Sequence, residues 1–469
     1  MQELPLLIDG GLVPGASTMP VIDPAFAEAF TRAPAASRQQ LDEAVLAAGR
    51  AFPAWSATPF AARRALVLEI AATIEAHRDE LAQLLTREHG KPPAAALGEI
   101  QSTVDYFRHF ATLSLEPERI EDSAVRQVEI HRVPLGVVAS VVPWNFPLLL
   151  LAFKLPPALL AGNTVVVKPA PTTPLATLRL GSLIAGFVPR GVINVIAGTD
   201  EIGPLLTAHP GVRKVSFTGS TETGRKVMAS CAPNLTRMTL ELGGNDPAIV
   251  FGDVDVAKTA DLVFASAFGT SGQVCRAVKR AYVHSSVYDA FCEALSQRAQ
   301  RAVVGDASTP GVEFGPVQNA AQFARMQGLL RPESHGGTVM PGGGLMERPG
   351  FFLRPTIVKN PQPRSRLVVE EQFGPILPVL PFDDVDEVVR EANEGPFGLA
   401  ASVWTRDMAK AHAVAGRLVA GTVWINKHID RTPHVPVAGA KQSGFGVELG
   451  QHGLYDFTQL KVINASAPA

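Results

Sequence analysis

Cys275 ends the stretch Ser271-Gly272-Gln273-Val274-Cys275, a thiol on a glycine turn just after an apolar, helix-like run. A thiol nucleophile needs a small loop around it, a route to its thiolate and a base that can also activate water. The plain alternative is a buried inert thiol, since free cysteine is among the most buried residue types. Upstream, Glu241-Leu242-Gly243-Gly244 puts a carboxylate and paired glycines at the end of an apolar strand. That suits a general base held where backbone passes closely, although most glutamates are simply solvated. Pro143-Trp144-Asn145-Phe146-Pro147 follows a further apolar run. The carboxyl end of a parallel strand is where α/β proteins bind ligands. An asparagine there can donate its amide to an oxyanion, or merely cap a helix in a proline-framed turn.

The elements that must position these residues follow from periodicity. Residues 6–11 read as a short hairpin, and 38–52, 59–89 and 94–113 as helices. Gly90-Lys91-Pro92 stops the second of these. Residues 118–132 read as a polar strand pair. Strands at 136–142, 164–168, 192–196 and 214–217 then alternate with helices at 148–160, 175–187, 203–208 and 221–229. The alternation restarts at Asp246, with strands 247–250 and 280–284 and helices 256–268 and 286–302. Such β–α alternation predicts parallel, doubly wound sheets, and hence an α/β fold. Pro341-Gly342-Gly343-Gly344 is a loop.

With 469 residues, the chain exceeds what one core usually supports. A net charge of −2 draws it to neither nucleic acid nor an anionic membrane. The longest apolar stretch, 146–161, is broken by Lys154, Pro156 and Pro157, which makes a poor membrane span. The N-terminus lacks a basic flank followed by an apolar segment. Three irregularly spaced cysteines, Cys231, Cys275 and Cys292, fit neither a disulfide framework nor a thiolate metal site. A cytoplasmic protein is expected, with no metal.

Taken in order, the motifs resemble the aldehyde dehydrogenase superfamily from Ile8-Asp9-Gly10 to about Ile463. Beside those above, the matches are Val167-Lys168-Pro169, Phe217-Thr218-Gly219-Ser220, Glu370-Glu371-Gln372-Phe373-Gly374-Pro375, Trp424-Ile425-Asn426 and Lys441-Gln442-Ser443-Gly444. The resemblance implies an NAD(P)-dependent, non-CoA-acylating enzyme that oxidises an aldehyde to its acid. Cys275 matches the nucleophile, Glu241 the base for deacylation, and Asn145 with the Cys275 N–H the oxyanion hole. An ordinary cysteine titrates near about 8.5, so Glu241 or bound cofactor must favour the thiolate. Lys168 matches the adenine-ribose lysine, Gly219 and Ser220 the helix start facing the pyrophosphate, Glu371 the nicotinamide-ribose carboxylate and Phe373 its neighbour. Trp144 and Leu242 complete the cofactor set. A conventional G-x-G-x-x-G is absent, and Gly444-Phe445-Gly446 reads as part of the Lys-x-Ser-Gly turn.

The implied fold is a Rossmann-like cofactor domain plus an α/β catalytic domain, with a small oligomerisation strand pair. Its expected division is 1–115 and 134–242 for the cofactor domain, 116–133 and 453–469 for the oligomerisation strands, and 243–428 for the catalytic domain. Residues 429–452 return to the cofactor domain and supply a substrate loop. A homodimer or homotetramer is implied.

Three positions depart from the family pattern. Pro171 stands where many NAD-using relatives carry a glutamate, which weakens strict NAD preference. Thr270 replaces a common asparagine, a change expected to affect loop packing. Val437 replaces an aromatic residue that faces substrate. The tunnel positions Phe146, Leu149, Leu150, Phe153 and Val274 are apolar, which favours a bulky or extended aldehyde. Arg276 and Arg431 could bind a substrate carboxylate or phosphate, as in a semialdehyde, or point outward into ion pairs. His428 and His434 read as solvated loop histidines, and Cys231 and Cys292 as structural thiols. Lys154 could assist proton movement or form a structural ion pair. A CoA-acylating relative commonly lacks the base matched here by Glu241, and a non-catalytic relative would lack Cys275 or Glu241.

Overall fold

The computed structural model describes residues 3–430 and 432–466. Two large sheets carry the molecule. The first has eight strands, in the order Gly11–Val13, Leu6–Ile8, Ile193–Val195, Thr164–Lys168, Val137–Val141, Val212–Thr218, Arg237–Glu241, Gly444–Phe445. Its five middle strands are parallel and the flanking pairings antiparallel. Chain order reverses between Val137–Val141 and Val212–Thr218, which face each other across the sheet's centre. A crevice opens at such a reversal, beyond the carboxyl ends of the strands. Asn145 follows one of these strands, and Thr218 and Gly219 end the other. The second sheet has seven strands, from Thr338–Val339 through Val278–His284 and Asp246–Val250 to Thr422–Ile425, parallel but for the first. Its strands are buried on both faces, so they read as near-continuous apolar runs. A three-stranded antiparallel sheet joins Glu118–Asp122, Arg126–Pro134 and the C-terminal strand Thr458–Ser466.

Most of the predicted elements are present, including the opening hairpin, the 118–132 strand pair and the helix Val256–Phe268. Four expectations need correction. The helix expected over 59–89 is two, Phe60–Ala76 and Arg78–His89, because His77 ends one and starts the next. The helical run 148–160 is likewise split into Pro147–Ala152 and Leu155–Leu160, between which Lys154 turns its amine inward. Gly444–Phe445 is an edge strand against Leu240 and Glu241 rather than only a turn. A hairpin of Ser17–Asp23 and Glu28–Ala35, not anticipated, packs against the helix Arg78–His89. Gly344–Leu345, at the end of the glycine run, forms a short strand with Leu353–Arg354.

Candidate active site

Cys275 lies on a wall shared by two cavities. One, of about 540 Å³, is lined by Trp144, Gly219, Ser220, Leu242, Glu371 and Phe373 among others. The second, of about 310 Å³, is lined by Phe146, Leu150, Phe153, Glu241, Val274, Arg276 and Val437 among others. Both lists also contain Asn145, Thr218 and Cys275. The sequence-derived set, Lys168 and Arg431 apart, thus divides into two groups that meet at the thiol.

The turn before the nucleophile is tight. Thr270, Ser271 and Gly272 have φ of 53°, 55° and 72°, three left-handed residues in succession. At Gly272 a Cβ would run into the Gly374 carbonyl, so only glycine fits. Asparagine tolerates this conformation and β-branched threonine does not, so Thr270 stores strain. The Ser271 hydroxyl donates to Gly315 O at 2.7 Å and Gln273 Nε2 to Thr270 O at 3.1 Å, which hold the turn in place.

Asn145 is 3% exposed. Its Nδ2 donates to Gln273 O at 2.9 Å. An amide nitrogen has two hydrogens, so one is left for a second acceptor. Behind it, the buried Lys91 amine donates to Asn145 O at 2.9 Å and to Glu99. Glu99 in turn accepts from Leu148 N and Leu149 N, which open the helix Pro147–Ala152. The oxyanion candidate is therefore pinned through its own backbone and through the helix after it.

Glu241 ends the strand Arg237–Glu241, and its Oε1 is buried without a hydrogen-bond partner among the described residues. Burial pushes its pKa up to about 8, and Glu448 adds to the rise, while Arg276 and Lys154 oppose it. A carboxyl group so poised can take a proton near neutral pH. Burial likewise lifts the Cys275 thiol to about 11, opposed by Arg276 and Lys279. Lys154 bonds Glu448 at 2.5 Å, Thr218 Oγ1 at 2.8 Å and Ser216 Oγ at 3.2 Å, so it forms the buried ion pair that was one of its two expected roles.

The larger cavity suits a dinucleotide. Ser220 caps the helix Thr221–Cys231 by accepting from Thr223 N, which leaves other amides at a positive helix end for a pyrophosphate. A Cβ on Gly243 would strike the Glu371 carboxylate, and Glu371 Oε1 accepts from Gly244 N at 3.0 Å. Phe373 meets Trp144 edge to face at 5.3 Å, a flat apolar wall beside Cys275. Lys168 is not on this cavity's wall. It is 4% exposed and donates to Pro169 O at 3.2 Å, and burial lowers its pKa to about 8.

On the other side, Tyr106 stacks on Phe153 at 5.0 Å. Arg276 lines this cavity and has no ion pair among the described residues, so of its two expected placements the outward salt bridge is absent. Its guanidinium lies 5.9 Å from the Trp424 ring. His428 is not solvated. It is 5% exposed, with Nδ1 at 2.8 Å from Ser402 Oγ and Nε2 donating to Arg276 O at 2.9 Å. Burial lowers its pKa to about 3, so the ring is neutral. His434 is exposed and Cys231 and Cys292 are buried. Arg431 lies outside the described residues. Among those described, no group of His, Cys, Asp and Glu side chains gathers as a metal site, and no helix is long and apolar enough to cross a membrane.

Sequence reasoning missed Tyr106, Lys279 and Glu448. Lys279 did carry a signal, as a charge inside the apolar strand Val278–His284. The others carried none, because their neighbours in the site are remote in the chain.

A family model described as aldehyde dehydrogenase family matches residues 12–463. Phenylacetaldehyde dehydrogenase of Pseudomonas fluorescens is 39% identical, covering 97% of this chain and 94% of its own. A mitochondrial aldehyde dehydrogenase of Leishmania tarentolae is 38% identical, with 98% and 94% covered. A crystal structure of Staphylococcus aureus betaine aldehyde dehydrogenase in complex with NAD+ superposes with a TM-score of 0.95 at 34% identity, covering 100% of this chain and 96% of that one. The chain belongs to the aldehyde dehydrogenase family, NAD(P)-dependent oxidoreductases that act on aldehydes.

Proposed function

We propose that the aldehyde is oxidised through a covalent thioester on Cys275, and the observation that carries this is the thiol's place on the wall common to both cavities, beside Asn145. The thiolate adds to the aldehyde carbon, and the oxygen takes up the negative charge. Asn145 Nδ2–H and the Cys275 N–H stabilise that oxyanion. A nicotinamide bound in the larger cavity supplies the hydride acceptor. Loss of hydride from the thiohemiacetal leaves an acyl group on Cys275. Glu241 then takes a proton from water, whose oxygen attacks the thioester carbon, and the thiolate departs as the acid forms. Cys275→Ala should abolish turnover and keep cofactor binding. Glu241→Gln should give one burst of reduced cofactor followed by very slow turnover. Unchanged steady-state rates in Glu241→Gln would remove Glu241 as the deacylation base.

Gly219, Ser220, Leu242, Glu371, Phe373 and Trp144 are the residues we assign to the cofactor, with Lys168 at its ribose end. Pro171 offers no carboxylate to repel a 2′-phosphate, so NADP should serve beside NAD. Sheet membership supports the domain division expected from the sequence, since the eight-stranded sheet draws on 6–13, 137–241 and 444–445. The strand Thr458–Ser466 exposes Leu460, Val462 and Ile463. Those apolar side chains on the small sheet support a homodimer or homotetramer. Three free cysteines fit a cytoplasmic location.

For the substrate, the apolar walls Phe146, Leu149, Leu150, Phe153, Val274 and Val437 favour a bulky or extended aldehyde. Each buried methylene contributes about 0.8 kcal/mol. Arg276, which lines the cavity without an ion-pair partner among the described residues, favours a second reading, a semialdehyde with an anionic tail. Arg276→Ala should then raise KM for a semialdehyde far more than for a neutral aldehyde of equal length. Equal effects on both would leave the apolar reading alone.

A further inference from the structure

Four successive carbonyls around the nucleophile are each held by a side chain. Asn145 Nδ2 donates to Gln273 O at 2.9 Å, and His428 Nε2 to Arg276 O at 2.9 Å. Between them, the Lys279 amine donates to Val274 O and to Cys275 O, 2.7 Å each. An ammonium has three donors. The same nitrogen lies 3.7 Å from Glu371 Oε1, and its side chain is 2% exposed. Lys279 therefore touches both the backbone of the nucleophile and the carboxylate assigned to the nicotinamide ribose. Among the described residues, neither Asn145 nor His428 has a hydrogen bond or ion pair to Glu371.

The Val274 carbonyl matters in particular. It shares a rigid peptide plane with the Cys275 N–H and points the opposite way. Val274 O also accepts from Ala277 N at 3.2 Å, so the shorter Lys279 bond and this turn together aim the Cys275 N–H, the second oxyanion donor. Glu371 is the point at which the cofactor cavity can alter that grip. When its carboxylate is free to attract the ammonium, the amine is shared three ways. When the carboxylate is drawn to another donor, the two carbonyls hold the amine alone. Two carboxylates face this ammonium, Asp246 and Glu371. Arg325 also faces Glu371, so the carboxylate is not left without a cation when Lys279 lets go.

We propose that Lys279 is a positioning residue that joins the two halves of the site, aiming the Cys275 amide while relaying the state of Glu371 to the nucleophile. This rests on the reading of Cys275 as nucleophile. It makes Glu371 felt at a thiol it does not touch, even before any cofactor binds.

The test is the rate at which iodoacetamide alkylates Cys275 in cofactor-free protein, read by mass spectrometry at that residue. Four proteins form the cycle, namely wild type, Glu371→Gln, Lys279→Met and the double variant. Glu371→Gln should change the rate by about threefold or more with Lys279 present, and leave it nearly unchanged in the Lys279→Met background. Equal effects in both backgrounds would overturn the relay, as would no effect of Glu371→Gln in the wild type. With saturating cofactor, Lys279→Met should lower kcat by about 10²-fold, the loss expected for a misaligned oxyanion donor, with a much smaller change in aldehyde KM. If Lys279→Met does not fold, Lys279→Arg carries the cycle. It keeps the charge but cannot set one ammonium against both carbonyls, so its coupling to Glu371 should fall, and full coupling would overturn the proposal. Turnover by Cys275→Ala would remove the underlying reading, whereas equal Glu371→Gln effects with Cys275→Ala inactive would remove this proposal alone.

Discussion

The two cavities that meet at Cys275 are built by different means. The larger cavity depends on close backbone, with Gly219 and Gly243 at positions where a side chain would collide with a neighbour, and with a helix N-terminus capped by Ser220. The substrate side is walled by side chains from distant segments, with Tyr106, Phe153, Val274, His428 and Val437 contributed by separate elements. Backbone surfaces tolerate little change of residue type, whereas side-chain surfaces can be altered one wall at a time. The chemistry is shared between the two, since Cys275 and Asn145 lie on both walls and Glu241 on the second.

That contrast can be broken most directly where the cavities share a residue. Asn145→Ala should lower kcat by roughly 10² to 10³, the usual effect of losing one preorganised donor. A change confined to KM would move Asn145 to the substrate side and dissolve the shared wall.

Proton equilibria sharpen the comparison next. Glu241, with its pKa pushed to about 8 by burial, should make kcat rise with pH through about 8 and then level off, provided deacylation limits turnover. A profile flat from pH 6 to 9 would contradict the assignment. Burial also raises Glu88 to about 8 and Asp246 to about 7, above ordinary values of 4.5 and 3.8. Over that interval the folded chain keeps protons that the unfolded chain has lost. The contribution of these groups to stability is therefore greatest below about pH 4 and falls as pH rises towards 8. Removing one of them should show this. Glu241→Gln should raise Tm over wild type by more at pH 9 than at pH 5, and an equal rise at both would refute the linkage.

The smallest expected effect concerns the strained turn. Thr270→Asn should stabilise the protein by about 1 kcal/mol, because asparagine accepts φ near 53° more readily than threonine. An unchanged Tm would show that the turn is held without strain.

The same division explains what could be read from the sequence. Cys275, Glu241, Gly219 and Glu371 lie in short motifs, because tight turns and close backbone approaches need glycine at fixed offsets. The parallel strands were legible as apolar runs. His428 looked like a solvated loop residue because nothing adjacent in sequence announces Ser402 or the Arg276 carbonyl as its partners. The sequence left both placements of Arg276 open for a similar reason, since its surroundings include Trp424, far along the chain. The split of 59–89 at His77 was hidden because residues on both sides have good helix propensity and no proline or glycine marks the break.

Two chambers with one wall in common also shape the traffic of reactants. On the proposed assignment, the acid formed at Cys275 would face the chamber that admits the aldehyde, so its exit need not wait for the spent dinucleotide to clear the other. Product acid should then compete with aldehyde for a berth while leaving the dinucleotide's own berth open.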